Sequence, residues 1–347
     1  MAVVSSERSA TGIVGGGPPS PPVEGPLVAV RDLHVTFNRG GRDVRAIRGV
    51  DLSVQSGEIL GLVGESGSGK SVTALSILRL IPDPPGKIVD GSILFKGRDL
   101  LKISWDEIRA IRGKEISMIF QEPMTSLNPV FTIGMQVMEA VLVHEHVSKK
   151  EAFQRSVEML ELVGIPDPAS RMNDYPQQFS GGMRQRVMIA IALACDPSML
   201  IADEPTTALD VTIQAQILEL MLQIKDKRQD AAILLITHNL AVVAETCHRV
   251  IVMYGGKIQE IAPVKELFRN PLHPYTRGLL ASLPTVDGER RQRLTTIPGS
   301  VPSILDLPIG CKFETRCTER LEKCALIEPE LLEPSPGHWV RCHLVNP

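Results

Sequence analysis

Aromatic residues are scarce, 4% of 347, too few for the stacking platforms that hold single-stranded nucleic acid. An excess of one charge is also missing. Lysine and arginine total 37 against 40 for aspartate and glutamate, a formal net charge of −3. The basic face of a general nucleic-acid binder is therefore absent, and no nucleic-acid partner is expected. The longest apolar run extends from Val187 to Cys195, well short of the roughly 18 residues that span a bilayer. Residues 1–26, rich in Ser, Gly and Pro, lack the basic-then-apolar pattern of a secretory signal. Such a composition cannot bury enough surface to offset its ordering entropy, so residues 1–27 are expected to be a disordered leader. With no signal the expected compartment is reducing, and six cysteines read there as thiols or metal ligands before disulfides.

What is present is an alternation of strand and helix patterns. Leu27–Val30, Leu33–Phe37 and Val50–Val54 read as short strands, and Glu58–Val63 as a compact apolar one. Helical spacing runs from Val72 to Leu80 and dominates from Trp105 to Ala194, including Lys149–Val163 and Gln185–Ala194. Strand patterns return at Met199–Ala202, Ala232–Ile236 and Val250–Met253. That order predicts an α/β fold, a parallel sheet flanked by helices, with a helical subdomain inserted at about 122–190. From Asn270 the composition becomes Pro-rich and holds four of the six cysteines, which places a boundary there. Cys195 and Cys247 lie in apolar stretches and read as small core residues.

Two motifs carry chemistry. Gly64-Glu-Ser-Gly-Ser-Gly-Lys70-Ser71 matches the phosphate loop G-x-x-x-x-G-K-[ST] and stands between an apolar strand and a helix. Its glycines let the backbone curl until N–H groups converge on a phosphate. Gly64, Ser66, Gly67, Ser68, Gly69, Lys70, Ser71 and Val72 are thus the expected nucleotide-binding residues. Lys70 should bridge the β- and γ-phosphates, and Ser71 should hold Mg²⁺ through its hydroxyl. The second motif is Met199-Leu-Ile-Ala-Asp203-Glu204, an apolar strand ending in two carboxylates. Asp203 can hold the Mg²⁺ shell while Glu204 polarises a water for in-line attack.

Between these motifs lies Phe179-Ser-Gly-Gly-Met-Arg-Gln-Arg186, which resembles the LSGGQ signature of ATP-binding-cassette (ABC) ATPases, with Phe179 for Leu and Met183 for Gln. The resemblance implies that Ser180, Gly181, Gly182 and Met183 touch the γ-phosphate held by a partner subunit. It further implies that Gln121 of Phe120-Gln-Glu-Pro123 senses Mg²⁺ and the attacking water. Thr207-Ala-Leu-Asp210 resembles the D-loop, His238 the switch histidine, and Phe37 the aromatic that stacks on adenine. The implied fold is a RecA-like P-loop NTPase core with an antiparallel β subdomain, the inserted helical subdomain and a Cys-bearing C-terminal extension. The cassette would occupy 28–270 and the extension 271–347.

A narrower resemblance rests on Gln121-Glu-Pro-Met-Thr-Ser-Leu-Asn-Pro129, on the signature and on Asn270-Pro-Leu-His-Pro-Tyr-Thr-Arg277. These are similar to the D-type ATPase subunits of oligopeptide and dipeptide importers. The implied enzyme is a transport-coupled ATPase at the cytoplasmic face of the membrane. Its implied partners are two transmembrane permeases, a second related ATPase subunit in a heterodimer, and an extracytoplasmic peptide-binding protein. A nickel or other small-solute importer is the alternative, and a soluble ABC-class ATPase acting on DNA or ribosomes a remote one. Cys311, Cys317, Cys324 and Cys342 are separated by five, six and seventeen residues and lack the C-x₂₋₄-C knuckle usual for structural zinc. The tails of D-type ATPases resemble this one and can carry a [4Fe–4S] cluster, whose thiolate spacing varies. These four cysteines are therefore expected to hold a cluster, with Zn²⁺ as the alternative.

Overall fold

The structure is a computed structural model that describes residues 25–121, 126–205, 211–283 and 296–345. Nearly all of the expected leader and the whole D-loop motif Thr207–Asp210 lie outside the described residues. The described residues form two sheets. Strands β1 (Val28–Arg39), β2 (Arg42–Val54), β4 (Gly86–Phe95) and β5 (Arg98–Asp99) make an antiparallel sheet in the order β2-β1-β4-β5. Strands β3 (Ile59–Val63), β6 (Ile116–Ile119), β7 (Met199–Asp203), β8 (Ala232–Ile236), β9 (Arg249–Tyr254), β10 (Lys257–Pro263), β11 (Leu332–Ser335) and β12 (His338–Val340) make the larger sheet. Its order is β11-β12-β10-β9-β3-β8-β7-β6.

The strands β9, β3, β8, β7 and β6 run parallel and are apolar on both faces, as expected of a sheet covered on both sides. Leu200, Ala202, Ile233, Leu235, Val250 and Val252 face one apolar core. Met199, Ile201, Leu234, Ile236, Ile251 and Met253 face the other. Period-two alternation thus divides each strand between two cores. Between β6 and β7 the chain is helical at Ile133–His144, Lys149–Leu162 and Gly181–Leu193, each helix opened by a Ser or Thr cap at Thr132, Ser148 or Ser180. Among the described residues no helix is long and apolar enough to cross a membrane. Cys195 and Cys247 are buried, as their apolar surroundings required.

Several strands differ from the sequence expectation for identifiable reasons. The stretches Leu27–Val30 and Leu33–Phe37 are one strand. Pairing shifts register between Val30 and Leu33, where Asp32 takes a left-handed φ of 44°, and then resumes on both neighbours. The polar Arg31-Asp32 pair is a bulge and not a turn. Strand β6 sits inside the stretch that reads as mainly helical, because four residues are too few to establish a period. The chain beyond Asn270 returns to the main sheet, where β12 pairs with β10 through Glu260↔Val340 and Ile261↔Trp339.

Candidate functional site

Parallel strands that end side by side deliver their next residues to one edge of the sheet. After β3 the phosphate loop turns into the helix Lys70–Ile77. The turn requires Gly64, at φ 150°, since a Cβ there would sit 2.2 Å from the Met253 carbonyl oxygen. Lys70 is buried and curls back over the loop, its Nζ donating to the carbonyls of Gly64 at 2.8 Å and Glu65 at 3.0 Å. Burial pulls its pKa below the ordinary lysine value, with the Glu204 and Asp203 carboxylates opposing.

A cavity of about 490 Å³ opens above this loop. Phe37, Ser66, Gly67, Gly69, Lys70, Ser71, Val72, Gln121 and Glu204 line it, so most of the nucleotide residues expected from sequence converge. Gly64 and Ser68 form the loop behind it, and Ser68 Oγ lies 3.4 Å from Lys70 Nζ. Asp203, at the end of β7, is 4% exposed. Burial pushes its carboxyl above the usual range, while the Ser71 hydroxyl that hydrogen-bonds it works the other way. Asp203 Oδ1 has no hydrogen-bond partner. A buried, orphaned carboxylate oxygen beside a hydroxyl is a hard-oxygen donor set that fits Mg²⁺.

Glu204 follows Asp203 with a left-handed φ of 46°, a conformation that a non-glycine residue keeps only when its surroundings hold it. Its N–H donates to the Ile236 carbonyl at the end of β8. Gln121 Nε2 donates to Glu204 Oε2 at 3.0 Å, and His238 Nδ1 lies 3.5 Å from Glu204 Oε1. His238 itself is exposed, on the loop after β8.

The signature residues stand elsewhere. Ser180 caps the helix Gly181–Leu193 by accepting from the Met183 N–H at 3.3 Å. Neither it nor Gly181, Gly182 and Met183 lines the cavity. The same helix reaches the site from behind, since Gln185 Nε2 donates to the carbonyl of Pro205, next to Glu204.

The cysteine expectation is corrected. Cys311, Cys317, Cys324 and Cys342 do come together, but around a space of about 10 Å³, room for no more than a single water. Among the described residues no group of three or more His, Cys, Asp or Glu side chains is placed to hold a metal ion. Burial pushes the Cys311 thiol up to about 12 and raises those of Cys317 and Cys342, which favours neutral thiols over metal-binding thiolates. Cys311, Cys324 and Phe313 belong to one apolar core, against which Cys317 packs. Neither an iron–sulfur cluster nor Zn²⁺ is supported there.

Several residues at the site were not expected from sequence, Arg39, Ile304, Leu305 and Arg316 among them. Arg39 lines the cavity beside Phe37, and Ile304 and Leu305 of the C-terminal region form part of its wall. Arg316 grips the phosphate loop through Glu65. None sits in a local pattern that announces it, because each arrives through tertiary packing.

Residues 47–207 match the family described as ABC transporter, and residues 259–324 match the oligopeptide/dipeptide transporter C-terminal region. The chain is 55% identical over 320 residues to the probable peptide ABC transporter ATP-binding protein y4tR of Sinorhizobium fredii, covering 92% of this chain and 95% of that protein. It is 52% identical over 321 residues to the oligopeptide transport ATP-binding protein OppD of Bacillus subtilis, covering 92% and 89%. It is 52% identical over 318 residues to the dipeptide transport ATP-binding protein DppD of Bacillus subtilis, covering 92% and 94%. None of these names describes an iron–sulfur protein. Among solved structures, the ATP-binding cassette MJ0796, a post-hydrolysis dimer bound to ADP and Pi, superposes with a TM-score of 0.62 at 27% identity. The match covers 69% of this chain and 99% of that chain. The chain belongs to the ABC transporter family, as one of its ATP-binding, ATP-hydrolysing proteins.

Proposed function

We propose that this ATPase energises the uptake of di- and oligopeptides through a membrane importer. The observation that carries the catalytic half is Glu204, strained and half-buried beside the phosphate loop with Gln121 and His238 against its two oxygens. The match of 259–324 to the peptide-transporter C-terminal region, together with relatives named for peptide transport, supports the transport half.

The chain's own residues divide the work. The loop amides and Lys70 neutralise the β- and γ-phosphates, and Phe37 takes the base at the far wall. Ser71 and Asp203 would hold Mg²⁺, which supplies Lewis-acid charge neutralisation when bound. Glu204 accepts a proton from the attacking water, Gln121 fixes the orientation of the Glu204 carboxylate, and His238 faces the γ-phosphate. Phosphoryl transfer leaves little covalent work to the protein, so placement and charge account for most of the catalysis. Ser180 and its glycines, outside the cavity, fit a head-to-tail pair in which each signature completes the other subunit's site. The free N–H groups and positive dipole end of their helix favour an anion there. We assign the second subunit to a related ATPase, and place the pair on two permeases at the cytoplasmic face, fed by an extracytoplasmic peptide-binding protein.

Uptake of a labelled tripeptide by a deletion strain tests this. Restoration by the wild-type gene and not by Lys70→Ala is the expected result. Full tripeptide uptake in the deletion strain, with nickel uptake lost instead, would overturn the choice of cargo.

A further inference from the structure

The phosphate loop is held from outside the cassette motifs. Glu65, its second residue, has its N–H bonded to the Tyr275 hydroxyl at 2.8 Å and its carbonyl bonded to Lys70 Nζ at 3.0 Å. Its carboxylate receives a two-pronged grip from Arg316, with Nη1 to Oε2 at 2.6 Å and Nη2 to Oε1 at 3.1 Å. Arg316 comes from the C-terminal region, 251 residues away along the chain. It is 6% exposed and fixed on its own side, where Nε donates to the Pro298 carbonyl at 3.1 Å and Nη1 to the Tyr254 hydroxyl at 3.4 Å. The guanidinium lies over the rings of Tyr254 and Phe313, which pack edge-on against each other. A planar fork so enclosed fixes the direction of a carboxylate as well as its distance, which a lysine could not do.

We propose that Arg316 is a positioning residue for the nucleotide site, by which the C-terminal region holds the phosphate loop in the shape that receives a nucleoside phosphate. The inference rests on the reading of Gly64–Ser71 as a nucleotide loop. Arg316 does not touch the cavity, so it acts only through Glu65, whose peptide links Lys70 to Tyr275. Ile304 and Leu305 of the same region line the cavity, and Arg48 Nη2 meets the Ile304 carbonyl at 3.5 Å. The C-terminal region therefore meets the nucleotide site in two places, and the Arg316–Glu65 pair is the charged one.

Binding of MgADP to the full chain, measured by calorimetry, separates positioning from mere stability. Arg316→Gln and Glu65→Gln should each weaken binding about tenfold, and the double variant no further than either, because both remove one link. Thermal unfolding of each variant reports the fold independently. Should Arg316→Gln fail to fold, Glu65→Gln still decides, since it keeps the side chain's length and leaves the contacts of Arg316 with Pro298 and Tyr254. Unchanged MgADP affinity in either folded variant, or losses that add in the double, would reduce the pair to a structural tie and overturn the proposal. A wild-type chain without affinity for MgADP would overturn the nucleotide reading itself. A wild type that binds, beside variants that bind equally well, overturns only the role of Arg316.

Discussion

Gln121 Nε2 and Glu204 Oε2 stand 3.0 Å apart because they follow adjacent parallel strands, β6 and β7, that run in register from Ile116↔Met199 to Ile119↔Ala202. The amide donates to one oxygen of the carboxylate and fixes the direction of the other. Gln121→Ala should therefore leave nucleotide affinity nearly unchanged and lower turnover on the order of 10²-fold, the usual penalty for a misplaced reacting group. Parallel KM and kcat measurements check this, and a loss confined to KM would remove Gln121 from this role.

Ser180 has two separable duties. As the N-cap of Gly181–Leu193, its replacement by Ala should cost about 1 kcal/mol of stability in a denaturant titration. Because Ser180 does not line the cavity of its own chain, nucleotide binding by the isolated subunit should be unaffected while turnover by the assembled pair falls.

His273 makes stability depend on pH. It is fully buried, its Nδ1 accepts from the Tyr275 N–H, and burial lowers its pKa from 6.5 to about 4. The unfolded chain takes up a proton that the folded one refuses, so stability is intact above pH 6.5 and is lost as pH falls from 6.5 towards 4. Between pH 7 and pH 5 the wild type should lose about 2 kcal/mol more than His273→Asn, which keeps an acceptor for the cap. Denaturant unfolding at the two pH values measures the difference, and equal losses would contradict it.

Glu260 ties the C-terminal region to the main sheet. Its fully buried carboxylate accepts from the N–H groups of Leu272 at 2.7 Å and His273 at 3.0 Å, and meets His338 Nε2 at 2.8 Å. Burial works to raise its pKa, yet these bonds hold it below the usual carboxylate range. Glu260→Ala should cost about 3–5 kcal/mol, because it leaves buried donors unpaired. Chemical denaturation gives the value, and a loss under about 1 kcal/mol would show that the bonds are replaced by water.

The parts of the site that could be read from the sequence are those whose chemistry sits in contiguous residues. Gly64–Ser71 must be continuous for one backbone curl to surround a phosphate, and Asp203-Glu204 must terminate a strand. The helix Lys149–Leu162 could be read for a similar reason, since its period is local. Arg316 carries no such mark, nor do Ile304 and Leu305, which reach the cavity wall from a distant part of the chain. The four clustered cysteines misled for the converse reason. Their spacing along the chain carries no information on burial, and Cys311 and Cys324 sit with Phe313 in an apolar core against which Cys317 packs.

Whether Glu204 is the base for ATP hydrolysis at this site is decided by the ATPase rate of Glu204→Gln, with MgATP affinity measured alongside. The amide keeps the shape of the side chain and removes its ability to accept a proton. The expected result is MgATP binding close to that of the wild type and a turnover lower by about 10²- to 10⁴-fold, the range of general-base catalysis. Hydrolysis at the wild-type rate in a variant that binds MgATP normally would contradict it.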